Sequence, residues 1–195
     1  MKKVFIVMLL LSTFVFAQGS FRLNGGINMG NIQWNDSEMH DQVDPQPIIG
    51  IDAGLEKAFS SLILGVHYVQ RGMQTEDFII DNVDMTLTMN YVNGYALVSI
   101  GSPESTFSLF LGGEVGKYLN GETTQEYDGE SNSEEIDAEN INIDYGAVAG
   151  AYLWLSKRIG LRGSYYYGLS DIDDVEDVDL TGKHNGIQIQ LSYRL

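Results

Sequence analysis

From Ser20 to the end of the chain, apolar and polar residues alternate one by one in runs of about ten, and the connections between runs are alternately long and short. A period of two places one face of a strand in an apolar medium and the other in a polar one. The first run, residues 21–29, sets Phe21, Leu23, Ile27 and Met29 against Arg22, Asn24 and Asn28. The last, 187–195, sets Ile187, Ile189, Leu191, Tyr193 and Leu195 against Gln188, Gln190, Ser192 and Arg194. Between them lie 49–57, 62–71, 86–100, 107–117, 141–155 and 159–169. The run 86–100 changes parity: Leu87, Met89 and Tyr91 share one face, whereas Val92, Ala96, Val98 and Ile100 share the other. A β-bulge between Asn90 and Asn93 would reconcile them.

The long connections are 33–47, 72–85, 118–140 and 170–185, and the turns between them are 58–61, 101–105 and 156–158. A soluble barrel or sandwich has no reason to sort its connections by length, whereas a bacterial outer-membrane barrel does. The pattern predicts an all-β fold, an eight-stranded antiparallel up-and-down transmembrane β-barrel with both termini on the short-turn, periplasmic side. Aromatic residues near the strand ends fit interfacial girdles, with Phe21, Phe59, Phe107 and Tyr193 at one rim and Tyr68, Tyr91, Tyr118, Tyr165 and Tyr167 at the other.

Residues 1–17 carry Lys2 and Lys3, an apolar run and small residues before a cleavage position after Ala17, the pattern of a helical secretory signal peptide. Residues 18–195 then form one barrel domain. The chain has no cysteine, which excludes a lipoprotein anchor and disulfides.

Charge is distributed unevenly. The sequence holds 27 acidic and 11 basic residues, and 22 of the acids fall in the four long connections, which contain one base, Lys183. Such acidity disfavours nucleic acid and adsorption to anionic lipid. It makes the long-connection face a negative crown. Strand parity points Asp52, Glu56, Glu114 and Asp144 inward together with Arg22, Arg71, Arg162, Arg194 and His67. These form a predicted structural charge network in a lumen that eight strands leave only wide enough for side chains, which argues against a porin.

Chemistry is sparse. His40 and His184 fall in connections, and His67 could meet Ser164 or Asp144 in a barrel hydrolase or acyltransferase, but no nucleophile elbow or zinc pairing accompanies it. No catalytic or cofactor-binding residue is assigned. The acids Asp171, Asp173, Asp174, Glu176, Asp177 and Asp179, and the run Glu134, Glu135, Asp137 and Glu139, lack the spacing of a calcium loop, leaving only weak calcium or magnesium binding, for instance to lipopolysaccharide phosphates. The glycines within strands have no following helix or lysine and read as space for neighbours or for bends.

The segment GVHYVQRG at 65–72 resembles the tyrosine, polar pair, basic residue and glycine signature of PorT-like outer-membrane β-barrel proteins, barrels of the OmpX/OmpA-like eight-stranded kind. LNGGINMGNI, FLGGEVGKYL, IDYGAVAGAYL, YYYGLSDI and the closing SYRL are similar to that family's strands in the same order. Asn93-Gly94-Tyr95 and the terminal Leu195 depart from its usual pattern. The resemblance implies an outer-membrane protein of a Gram-negative-type bacterium, one of whose relatives serves secretion and gliding machinery. Leu191, Tyr193 and Leu195 resemble the terminal recognition signal for the β-barrel assembly machinery. The reading is a non-enzymatic structural or surface-interaction barrel in contact with outer-membrane lipids, lipopolysaccharide and an extracellular or envelope protein. The alternatives are a component of a secretion or adhesion complex, and a lipid-modifying or proteolytic barrel enzyme.

Overall fold

A computed structural model describes residues 19–34, 44–76, 83–103, 105–136, 141, 143–172 and 182–195. The signal-peptide segment 1–17, His40, Glu104, Asp137, Glu139 and the acids 173–179 lie outside the described residues. The strands are β1 (Ser20–Trp34), β2 (Gln46–Ala58), β3 (Leu62–Thr75), β4 (Val83–Ile100), β5 (Phe107–Tyr127), β6 (Glu130–Glu135), β7 (Asp144–Trp154), β8 (Ile159–Gly168) and β9 (Gly182–Arg194). Every pairing is antiparallel, and β9 returns to β1 in a register running from Arg22↔Arg194 to Trp34↔Gly182. Together β1 to β5 and β7 to β9 close a ring of eight, while β6 pairs only with the far end of β5. The eight ring strands are those the alternation predicts.

The outer face explains the alternation. Outward positions such as Ile51, Val66, Val98, Leu111, Leu161 and Ile189 are large, apolar and exposed around the whole ring. Between Lys57 near the short-turn rim and Lys117 and Lys183 near the other, no outward strand position among the described residues is charged. A continuous apolar belt of this kind is unstable in water and suits a bilayer, in which closed strands satisfy every backbone group.

Inside, rings and glycines alternate. Tyr95 lies across Gly65, Phe110 across Gly150, Trp154 across Gly160 and Tyr166 across Gly146; a Cβ at any of these glycines would fall within 3 Å of the ring. Inward aromatics thus occupy space that a side chain on the neighbouring strand would otherwise take, which is how a narrow barrel accommodates large residues. Two apolar clusters result. One, toward the short turns, includes Tyr95, Leu97, Phe110, Tyr152 and Trp154. The other, toward the long connections, includes Ile32, Met73, Met89, Tyr91 and Tyr118.

Three expectations are corrected. First, β4 contains no bulge between Asn90 and Asn93: Met89, Tyr91, Asn93, Tyr95 and Leu97 all face inward on one unbroken parity. The extra residue belongs to β5, where Asn90 pairs with Asn120 and Tyr91 with Tyr118, leaving Leu119 over. The parity seemed to change because Met89 and Tyr91 enter an apolar part of the lumen. For the same reason Tyr91 and Tyr118 are buried inside rather than members of an outer girdle.

Second, the connection 118–140 is largely strand. β5 continues to Tyr127, turns at Asp128 and Gly129 with φ of 51° and 82°, and returns as β6. Positive φ at both central residues is the type I′ hairpin geometry that Asp-Gly favours. Glu134 and Glu135 are therefore strand residues and not part of a loop run. Third, His184 is not in a connection. It sits in β9, fully buried, facing Tyr91.

Candidate functional site

Most of the buried charge lies between the two apolar clusters. At the short-turn end, Glu56 on β2 accepts hydrogen bonds from Arg22 (3.1 Å), Tyr95 (2.8 Å) and Tyr152 (2.7 Å). Arg22 and Glu56 are cross-strand partners, so the register itself sets the ion pair. Arg22 also donates to the Pro103 carbonyl at 2.8 Å, as does the Trp154 indole at 3.2 Å. The turn after β4 is thereby drawn across the barrel mouth. The Arg22 guanidinium stands 5.0 Å from the centroids of both the Tyr152 and Trp154 rings, which adds a cation–π attraction.

Further along, Arg71 on β3 reaches across the lumen to Glu114 on β5 and Asp144 on β7. Its guanidinium lies 3.8 Å from the Tyr166 ring, and the Tyr166 hydroxyl donates to Asp144 at 2.7 Å. Ser170 donates to the same carboxylate at 3.1 Å. His67 stands between two acids: Nδ1 is 2.7 Å from Asp52 Oδ1 and Nε2 is 3.2 Å from Glu114 Oε2. Asn93 donates to Glu114 Oε1, the oxygen that also takes Arg71.

Arg162 is held differently. It bonds Gln190, and its guanidinium lies 5.2 Å from the Tyr95 ring and 5.1 Å from Phe110. Arg194 is half-buried at the short-turn rim, stacked 4.0 Å over Trp154, with Nη1 donating to the Lys157 carbonyl. The structure therefore gathers Arg22 with Glu56 and gathers Arg71, His67, Asp52, Glu114 and Asp144 into one chain, while Arg162 and Arg194 rest chiefly on aromatic rings. The Arg71 contacts hold strands that are not neighbours, because β3 meets β5 and β7 only across the lumen.

Nothing in this arrangement assembles a nucleophile. Ser164 donates to Gln188 at 2.8 Å and Asp144 serves Arg71, so neither accompanies His67. Sequence reasoning missed the inward His184 and the Pro103 carbonyl. The first is concealed by a polar, glycine-rich stretch, and the second is a backbone atom that no side-chain pattern announces. Leu191, Tyr193 and Leu195 all project from the outer face at the end of the chain.

A closed antiparallel ring with an apolar outer belt and a packed, ion-paired interior is a membrane-spanning β-barrel. Residues 16–174 match the family model described as outer membrane protein beta-barrel domain, and the chain belongs to that family, which places it in the Gram-negative outer membrane. Ail, the attachment invasion locus protein of Yersinia pestis, has a similar fold with 16% identity and a TM-score of 0.55, covering 92% of this chain and all of Ail's. Neisserial surface protein A is similar at 12% identity and TM-score 0.53, covering 92% of this chain and 99% of the other. The outer membrane protein OprG of Pseudomonas aeruginosa is similar at 12% identity and TM-score 0.50, covering 91% and 96%. No curated protein sequence matches the chain.

Proposed function

We propose that this protein is a non-enzymatic outer-membrane barrel with a plugged lumen that presents a rigid acidic hairpin to a partner outside the cell. The observation that carries the reading is the length of β5. It has 21 residues where β7 and β8 have 11 and 10. A tilted strand crosses the bilayer in about 9 to 11 residues, so β5 runs on for roughly 33 Å beyond the belt. With β6 it forms a projection bearing Glu122, Glu126, Asp128, Glu130, Glu134 and Glu135. The two-residue turn makes this element stiff, and a stiff element loses little entropy on binding.

Ail has been crystallised with the heparin analogue sucrose octasulfate. The acids of this hairpin repel a polyanion, so the partner that suits it is basic. Placing the short turns and both termini in the periplasm puts the hairpin outside, and the outward Leu191, Tyr193 and Leu195 suit recognition by the barrel assembly machinery. The glycine and tyrosine pattern of 65–72 supports kinship with PorT-like barrels, and through it a second reading: a component of an envelope secretion or adhesion complex.

A photoreactive residue in place of Ser131, activated in living cells, tests the role. A discrete protein adduct that disappears when Glu122, Glu126, Glu130 and Glu134 are replaced by glutamine supports it. No protein adduct, or one unchanged by that neutralisation, refutes it.

A further inference from the structure

Beyond the belt the sheet has one open side. There β3, β4, β5 and β6 run edge to edge, and β6 stands last in the order, paired with β5 alone. β7 pairs with β5 only as far as Gly116, short of Glu122 where β6 begins, and β8, the next strand round the ring, ends level with Gly146 and so with Glu114. Among the described residues no strand covers the far edge of β6.

The register shows which groups that edge offers. The two-residue turn at Asp128-Gly129 makes Tyr127 and Glu130 the closing hydrogen-bonded pair, and Ile136 N donates to Gly121 O at 3.0 Å with the same parity. Glu130, Asn132 and Glu134 thus turn their backbone N–H and C=O toward β5, whereas Ser131, Ser133 and Glu135 turn theirs outward. Evenly spaced donors and acceptors on an exposed strand in unbroken register form a template for another strand.

Edges of this kind are usually blunted by lysine, proline, a bulge or a covering segment. β6, with the sequence Glu-Ser-Asn-Ser-Glu-Glu, carries none of the first three. What it carries is negative charge: Glu130 and Glu134 share one face with Asn132 between them, and Glu135 shares the other with Ser131 and Ser133. Like charges brought opposite one another destabilise a strand pair, so the β6 of a second copy is repelled. A cationic strand is attracted, and the two serines leave it room.

We propose that β6 takes up an extended segment of a partner protein as a further antiparallel strand, and that this segment carries lysine or arginine at alternate positions. Backbone hydrogen bonds to Ser131, Ser133 and Glu135 supply the pairing, and cations opposite Glu130 and Glu134 supply the selection. The antiparallel sense is that of every pairing already in the sheet. This rests on the reading of the hairpin as the contact for a basic partner and states how that contact is made. In such a pair the residues opposite Glu130 and Glu134 point their own N–H groups away from β6, and the residues between them point theirs toward it.

The folded protein in phosphatidylcholine nanodiscs, whose zwitterionic lipid does not attract a cation, is titrated with a fluorescent peptide of alternating lysine and threonine, and anisotropy reports binding. N-methylation of the threonines removes the donors that face β6 and should weaken binding by roughly tenfold or more, the size of two or more backbone hydrogen bonds. N-methylation of the lysines instead leaves the charge identical and the facing donors intact, and that peptide should bind like the parent. Ser133→Pro removes one outward donor while sparing the backbone bonds to β5, and should weaken the parent peptide about fivefold. Circular dichroism verifies that this variant folds. No binding of the parent peptide, equal binding of the two methylated peptides, or the opposite order between them would overturn the proposal. Equal binding that still falls when Glu130→Gln and Glu134→Gln are combined would overturn strand addition alone and leave the basic-partner reading standing.

Discussion

Tyr152 on β7 donates its hydroxyl to Glu56 on β2 at 2.7 Å, joining two strands that share no edge and lie 96 residues apart in the chain. The same carboxylate takes Arg22 and Tyr95, all four side chains being buried. Removing the acceptor strands a buried guanidinium and two hydroxyls. Glu56→Ala should therefore cost about 3 to 5 kcal/mol, the range for a buried charge that loses its partner. Glu56→Gln keeps an acceptor oxygen for the tyrosines and should cost less. Urea titration in lipid vesicles, followed by Trp154 and Trp34 fluorescence, measures both; a Glu56→Ala variant as stable as the parent would show that the network carries no stability.

The outer belt makes a depth-dependent prediction. Val66 faces outward, pairs with Leu55 and Gly94, and is surrounded by apolar neighbours. Val66→Arg should destabilise the barrel in lipid by roughly 2 to 4 kcal/mol, whereas Gln33→Arg near the long-connection rim should cost about 1 kcal/mol or less. Equal effects of the two substitutions would remove the case for a bilayer around this face.

The ring was legible because strand parity reports a single variable, which medium each side chain meets. Ile187 to Leu195 shows this most clearly. Parity fails where the inside is itself apolar, as at Met89 and Tyr91, which read as outward residues and are not. It also gives no height along the barrel axis. That Arg22 meets Glu56 follows from neighbouring strands in register, but that Arg71 meets Glu114 and Asp144 depends on the stagger of strands two and more positions round the ring, which no local pattern contains. The β5–β6 hairpin was hidden by its charge. Six acids near Asp128-Gly129 suggest a solvated loop, although the Asp-Gly pair is itself a hairpin signal.

Gly72 lies within β3 under tight constraint. Its φ is 151°, and a Cβ there would stand 1.8 Å from the Leu87 carbonyl oxygen. Both the backbone conformation and the contact with β4 exclude a side chain. Gly72→Ala should cost on the order of 1 to 3 kcal/mol, the scale of a residue forced into a sparsely populated conformation. Gly25→Ala offers a matched control, since a Cβ there would meet nothing within 4 Å. Equal stabilities of the two variants in urea titration would contradict the constraint.

The lumen's contents predict its electrical behaviour. Tyr152, Trp154, Phe110 and Tyr166 pack into one buried cluster, and Arg22 and Trp154 both donate to the Pro103 carbonyl at the short-turn end. Ions crossing this path would have to separate the pairs Arg22–Glu56 and Arg71–Asp144, each buried and each costly to break. Eight strands enclose no spare width for water beside those side chains. The purified protein in planar bilayers should thus show no stable conductance, while an Arg22→Ala, Trp154→Ala double variant, which releases the Pro103 turn, should show brief, irregular openings. Steady nanosiemens steps from the parent protein would mean that the side chains move aside as a unit, and the plugged reading would fail.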